Sequence, residues 1–123
     1  MKFARQVFRV AGVLGLVILL PMYFLEERIG RDLPPPITHP ENYYGFLAVT
    51  VAWQVMYLMI STDPVRYRPL MPVAALAKLS YVTTLVVLFA VGRVASVVLG
   101  TATFDLVFGV LFVAAYTRTP RIL

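Results

Sequence analysis

The 123-residue sequence contains no cysteine, a single histidine and a single tryptophan. The absence of cysteine excludes a disulfide framework, thiol catalysis and thiolate-ligated metals. One histidine, His39, is a poor basis for a zinc site, which needs three or four ligands in fixed geometry. Nucleophile triads, paired catalytic carboxylates and glycine-rich phosphate loops are missing as well. We therefore expect no metal, no cofactor and no enzymatic activity.

Charge is scarce too: 14% of the residues are charged and 60% are hydrophobic, with a mean hydropathy of +0.83. A soluble domain of this size would need more polar residues to cover its surface. Each of the long apolar stretches is close to the ~20 residues with which an α-helix crosses a bilayer. A helix also satisfies its own backbone hydrogen bonds in lipid. The sequence predicts an all-α integral membrane protein with four such stretches: Val10–Leu25, Tyr43–Ser61, Pro72–Gly92 and Val97–Tyr116.

The connections between these stretches are short, which places successive helices side by side. We therefore predict one transmembrane domain over residues 1–123, an antiparallel four-helix bundle. Its helices are expected at about residues 7–25, 43–61, 70–92 and 97–117, with an outer loop over 26–42. The last turn is expected at Gly92–Ser96, with Gly100–Thr101 as a later alternative. Pro34–Pro36 predict a polyproline II segment. The connection that contains it is either an ordered outer cap, which we favour because Leu33 and Ile37 are apolar, or a plain spacer.

Two features of the first stretch predict local structure. Pro21 cannot donate a hydrogen bond to the carbonyl of Val17, so a kink or a loosened last turn is expected there. Ala11 and Gly15 are four residues apart, a spacing of small residues that lets two membrane helices approach closely. Alternatively, these small residues are simply common in membrane helices.

Basic residues are distributed unevenly among the connections. Seven flank the two termini and the second connection, whereas three lie in the other two connections. Cytoplasmic flanks of membrane helices carry an excess of lysine and arginine. We predict that both termini are cytoplasmic. The same distribution explains the net charge of +5 without a nucleic-acid partner. The seven residues are Lys2, Arg5, Arg9, Arg66, Arg68, Arg118 and Arg121.

Three polar residues fall inside the apolar stretches, where they are costly and usually face the bundle interior. Asp105 either pairs with Lys78, finds another helix, or lies at a late helix start. Lys78 either forms that pair or extends to the headgroups along its apolar stem. Gln54 is suited to a structural hydrogen bond. Trp53 and Tyr81 contribute to bundle packing or border an apolar pocket. These five residues are our candidate binding residues, and none of them is assigned a catalytic role.

Three segments carry a resemblance to known proteins: "HPENYYGF", "WQVMYLMISTDPVRYRPLMP" and "FDLVFGVLFVAAYTR". They resemble small four-helix inner-membrane proteins of bacteria, and the helix layout is similar to that of the DoxX-type membrane families. The resemblance implies a compact, multi-pass bundle in a bacterial inner membrane. It transfers no catalytic residue to this chain.

Three functions are compatible with these observations. The preferred one is a non-enzymatic membrane module that binds a partner protein, a second copy of itself, or a hydrophobic ligand such as a lipid, quinone or isoprenoid. The second is a small oligomeric transporter or channel with Asp105, Gln54 and Lys78 on a polar path. It requires an oligomer, because four helices hardly enclose a pore alone. The third is a membrane enzyme that uses Asp105 as an acid or base.

Overall fold

The computed structural model describes residues 2–33 and 36–121. Within these ranges the chain forms α-helices and one short 3-10 helix at Arg68–Leu70, and no β-strand. Four helical segments of this part of the chain are long and apolar enough to cross a membrane. The predicted all-α four-helix architecture is confirmed, and the chain is a multi-pass membrane protein. Its α-helices are α1 (Lys2–Met22), α2 (Glu26–Asp32), α3 (Pro40–Thr62), α4 (Met71–Ala90) and α5 (Ser96–Arg118).

Helix α1 begins at Lys2, about one turn earlier than expected, because lysine and arginine are good helix formers and extend it beyond the apolar stretch. It ends at Met22. The next two turns use the shorter 3-10 spacing, with the Tyr23 amide donating to Leu20 O at 3.3 Å and the Phe24 amide donating to Pro21 O at 3.0 Å. The loosened last turn expected at Pro21 is therefore present.

The predicted outer loop over 26–42 is interrupted by α2 and ends earlier, because α3 begins at Pro40. Glu26 and Glu27 lie in the first turn of α2, and Arg31 lies in the last. These charges complement the helix dipole and stabilise a helix of only seven residues. The polyproline prediction falls mainly on Pro34 and Pro35, which lie outside the described residues.

The turn between α4 and α5 lies where it was predicted, at Gly92–Ser96. Gly92 has a φ of +76°. Its amide donates to Phe89 O at 3.0 Å, and the Arg93 amide donates to Leu88 O at 2.8 Å. This pair of bonds is the Schellman arrangement, in which glycine adopts the left-handed conformation just after a helix. The later alternative at Gly100–Thr101 is wrong, because both residues lie inside α5.

The long helices pack as two pairs, α1 with α3 and α4 with α5. The pairs meet mainly through α1 and α5, whereas α3 and α4 share few contacts. Phe8 of α1 stacks on Phe112 of α5 with ring centroids 4.3 Å apart. Tyr57 of α3 meets Phe112 edge-on at 5.0 Å. All three rings are fully or almost fully buried, so an aromatic core joins three helices.

The two ends of the bundle differ in charge. At one end, the Arg118 guanidinium lies 4.4 Å from the centre of the Phe3 ring. Arg68 Nε donates to Tyr116 O at 3.2 Å and to Thr119 O at 2.7 Å. These contacts gather both described ends of the chain and the α3–α4 connection. We call this the basic end; its charged residues are Lys2, Arg5, Asp63, Arg66, Arg68, Arg118 and Arg121.

The opposite end carries α2 and the starts of α3 and α5. The Tyr43 hydroxyl group donates a hydrogen bond to Met22 O at 2.5 Å. Tyr44 donates to Glu26 Oε1 at 2.9 Å. The two tyrosines therefore hold the end of α1 and the start of α2 against the start of α3. We call this the acidic end; its charged residues are Glu26, Glu27, Arg28, Arg31, Asp32, Glu41 and Arg93.

Candidate functional site

A cavity of about 590 Å³ lies between the four long helices, on the acidic-end side of the aromatic core. It is partly enclosed, and its walls are mostly apolar. Leu14 and Ile18 line it from α1, Phe46 from α3 and Phe104 from α5. Its volume lies within the range of roughly 300–1,000 Å³ that is typical of small-molecule pockets. The bundle is therefore packed near its basic end and hollow further along.

An ion pair between α4 and α5 borders the cavity. Lys78 Nζ donates to Asp105 Oδ1 at 2.8 Å. The two side chains keep 16% and 21% of their surface exposed, so both are accessible from the cavity that they line. The Lys78 ammonium also lies 5.6 Å from the centre of the Tyr57 ring, a cation–π distance. The two opposite charges neutralise each other in an apolar surrounding.

This ion pair shows which of the alternatives predicted for Lys78 and Asp105 the structure adopts. Lys78 turns to Asp105 rather than to the headgroups. Asp105 lies well inside α5, which begins at Ser96, so it does not occupy a helix start. Close approach of the helices makes the contact possible. A Cβ added at Gly109 would lie 2.6 Å from Leu79 Cδ2 and 3.4 Å from Lys78 Cβ.

Gln54 is buried, with 2% of its surface exposed, and lies where α1 and α3 touch. Its Nε2 donates to Thr50 O at 3.0 Å within α3, whereas its buried Oε1 has no hydrogen-bond partner among the described residues. Rotating the amide by 180° would set two oxygens against each other, so the orientation is fixed by the Thr50 bond. A Cβ at Gly15 would overlap the Gln54 amide. The predicted close packing at Gly15 is present, and Gln54 is its partner.

The two aromatic candidates also line the cavity. Trp53 packs against Tyr57 with ring centroids 6.3 Å apart. Tyr81 of α4 stacks on Phe46 of α3 at 6.3 Å, with an angle of 25° between the rings. The structure thus brings all five predicted residues to one cavity. That placement is a geometric result, and a binding role for them stays a prediction.

Sequence reasoning missed Phe46 and Thr50 as cavity residues. A signal for both was available in the helical period of α3. Phe46, Thr50, Trp53 and Tyr57 follow the spacing four, three, four, which places them on one helix face. All four line the cavity.

The wall between α3 and α4 is the least packed of the cavity. These helices share few contacts. The Phe46–Tyr81 stack and the approach of Lys78 to Tyr57 bridge them there. A molecule in the surrounding lipid would therefore reach the cavity most directly between α3 and α4.

No protein-family model matches the chain, and no curated protein or solved structure shows significant similarity to it. Within residues 2–33 and 36–121, no three histidine, aspartate or glutamate side chains are grouped as metal ligands. His39 Nδ1 instead lies 3.2 Å from Glu41 Oε1 on the exposed acidic end. The cavity and its ion pair are the features from which a function can be argued.

Proposed function

We propose that this protein is a non-enzymatic membrane module that binds a lipid-like hydrophobic ligand in the cavity between its helices. The observation that carries the proposal is a cavity of about 590 Å³ whose mostly apolar wall includes one neutral ion pair. Buried water needs two to four polar partners, which most of this wall does not offer. An apolar molecule matches it better. A lipid, a quinone and an isoprenoid are the ligand classes of suitable chemistry.

The proposed setting is the inner membrane of a bacterium, with both termini in the cytoplasm and the long helices antiparallel. The resemblance to small bacterial membrane proteins supports the compartment. The gathering of six lysine and arginine residues at the basic end supports the orientation. Two contacts between helix ends support the antiparallel arrangement. Tyr43 at the start of α3 contacts Met22 at the end of α1, and Phe3 at the start of α1 contacts Arg118 at the end of α5.

The test of the binding proposal is photolabelling of the purified protein in lipid nanodiscs with hexadecane that carries a diazirine. Labels on Trp53, Tyr57 and Tyr81 that unlabelled hexadecane suppresses are the expected result, because these residues line the cavity and are buried or half-buried. Labelling of lipid-facing residues is not expected to saturate. Cavity labelling that does not saturate would overturn the proposal.

A cavity-filling variant sharpens this test. Ala77 lines the cavity, and Ala77→Phe should lower the saturable labelling at least several-fold. Leu76→Phe is the matched control, since Leu76 is 65% exposed and is not among the lining residues. Ala77→Leu replaces Ala77→Phe if the larger side chain prevents folding, as judged by helical circular dichroism. Unchanged labelling in a folded filling variant would count against the proposal.

A small oligomeric transporter or channel is the second candidate. Its support is that Gln54, Lys78 and Asp105 line one cavity. Such a function requires several copies of the chain around a common path. In proteoliposomes, Asp105→Asn should then abolish a pH-dependent flux of ions while the folded protein stays intact. A flux equal in wild type, Asp105→Asn and protein-free vesicles would exclude this candidate.

A further inference from the structure

We propose that the cavity selects an uncharged lipid alcohol, whose hydroxyl group binds the Lys78–Asp105 pair. This inference rests on the proposed function, because it names the class of ligand for the same cavity. It follows from the charge of the cavity wall, from the hydrogen-bonding groups that the pair still offers, and from the position of the pair.

The charge of the wall favours an uncharged head group. Lys78 and Asp105 are the charged residues among those that line the cavity, and their charges cancel. A phosphate or an ammonium group placed beside them would be a third charge without a partner. Burying an unpaired charge in an apolar surrounding is strongly unfavourable. Anionic and cationic lipids are therefore poor ligands for this site.

The pair offers both a donor and an acceptor. An ammonium group has three hydrogens to donate, and the Lys78–Asp105 bond uses one of them on Asp105 Oδ1. The second carboxylate oxygen, Oδ2, accepts no hydrogen bond from another described residue. A hydroxyl group can donate to Asp105 Oδ2 and accept from Lys78 Nζ at the same time. An ether or a ketone satisfies only the lysine, and a hydrocarbon satisfies neither.

The position of the pair leaves room for an apolar chain. Tyr57 is part of the aromatic core and also lines the cavity, and Lys78 lies over its ring, so the pair is near the packed end of the cavity. Apolar walls extend from there toward the acidic end. The sparse wall between α3 and α4 lets the rest of a long chain reach the bilayer. A single-chain alcohol fits this arrangement better than a two-chain phospholipid.

The experiment is competition for the hexadecane label described above, with hexadecanol, hexadecyl methyl ether and hexadecyl phosphate as competitors. Hydrogen bonds to charged groups are worth enough to change affinity about tenfold. We expect hexadecanol to compete about tenfold better than the ether, and the phosphate to compete no better than the ether.

The matched variant is Lys78→Met/Asp105→Leu, which removes both charges and so leaves neither one unpaired. It should lose the preference for the alcohol, so that hexadecanol and hexadecyl methyl ether suppress the hexadecane label equally. Asp105→Asn is the second variant if the double substitution does not fold. Its neutral amide should reduce the preference for the alcohol several-fold.

The outcomes separate this inference from the proposed function. Equal competition by alcohol and ether in the wild type, or a preference for hexadecyl phosphate, overturns the inference and leaves ligand binding in place. A preference for the alcohol that persists in the double variant also overturns it. If none of the compounds suppresses cavity labelling, the proposed function itself is overturned.

Discussion

Lys78 Nζ lies 2.8 Å from Asp105 Oδ1 and joins α4 to α5 where both helices line the cavity. The two side chains are mostly buried. Neither charge can be removed alone without leaving its partner unmatched among apolar groups. The pair is therefore a structural link between the helices as well as the most polar accessible feature of the cavity.

Asp105→Leu should lower the free energy of unfolding by about 2–3 kcal/mol, because it leaves a mostly buried ammonium group without its partner. Asp105→Asn should cost less, since its amide oxygen still accepts a hydrogen bond from Lys78. Lys78→Met/Asp105→Leu should recover most of the loss. Thermal unfolding in detergent measures all three. Additive losses in the double variant would show that the side chains do not interact.

The same substitutions at Asp32 are the control. Asp32 Oδ2 lies 3.7 Å from Arg28 Nε, but both side chains are mostly exposed. Exposed pairs contribute little. Asp32→Asn and Asp32→Leu should therefore change stability by less than about 0.5 kcal/mol.

The orientation is tested with reporter fusions. A reporter at the C-terminus and one inserted after Asp63 should report the cytoplasm, because the basic end should remain on that side. A reporter inserted after Thr38, which precedes α3 at the acidic end, should report the opposite side. A cytoplasmic signal from the reporter at Thr38 would show that the predicted topology is wrong.

The transmembrane helices could be predicted because the thickness of a bilayer sets the length of an apolar stretch. No such rule covers α2, whose seven residues are too few for a periodic pattern. Its charges were the available signal: Glu26 and Glu27 in the first turn and Arg31 in the last. A search for helix-end charges inside the predicted loop would have found it.

The site residues could be predicted by type but not by partner. The cost of polar groups in lipid singled out Gln54, Lys78 and Asp105. From the sequence, the axial gap between Lys78 and Asp105 is uncertain by about 7 Å, because the depth of Lys78 depends on whether Arg68 or Arg93 marks the membrane edge of its helix. Likewise, the spacing around Gly15 predicted a close approach, whereas its contact with Gln54 depends on how α1 is aligned with α3.

Arg68→Ala should lower the free energy of unfolding by about 2 kcal/mol, since Nε donates to two carbonyls at the end of α5. Its guanidinium also lies 3.9 Å from the centre of the Tyr116 ring. Arg68→Lys keeps the charge but not the planar donor group, so it should recover only part of the loss. Chemical unfolding in detergent provides the measurement.

Arg66 is the matched control for Arg68. It is exposed, and its guanidinium lies 5.6 Å from the centre of the Tyr67 ring. Arg66→Ala should change stability by less than about 0.5 kcal/mol. Equal effects at the two positions would show that general charge at the basic end, rather than the bonds to α5, determines stability.

Gly15→Ala should lower the free energy of unfolding by about 1–3 kcal/mol, because the new Cβ would overlap the Gln54 amide, so that either this buried side chain or α1 has to move. Gly100→Ala is the matched control, since a Cβ at that position of α5 meets no atom within 4 Å. Alanine is the better helix former by about 1 kcal/mol, so Gly100→Ala should be neutral or stabilising.

A second substitution identifies the cause of the Gly15→Ala effect. Gln54→Ala removes the overlapping amide, so Gly15→Ala should cost far less in a Gln54→Ala background than in the wild type. Thermal unfolding of the two single variants and the double variant gives the coupling between the positions. Two results would contradict the contact between Gly15 of α1 and Gln54 of α3. One is that Gly15→Ala costs the same stability in both backgrounds, and the other is that it costs no more than Gly100→Ala. The part of the cavity wall that Gly15 and Gln54 form would then also differ from the one described.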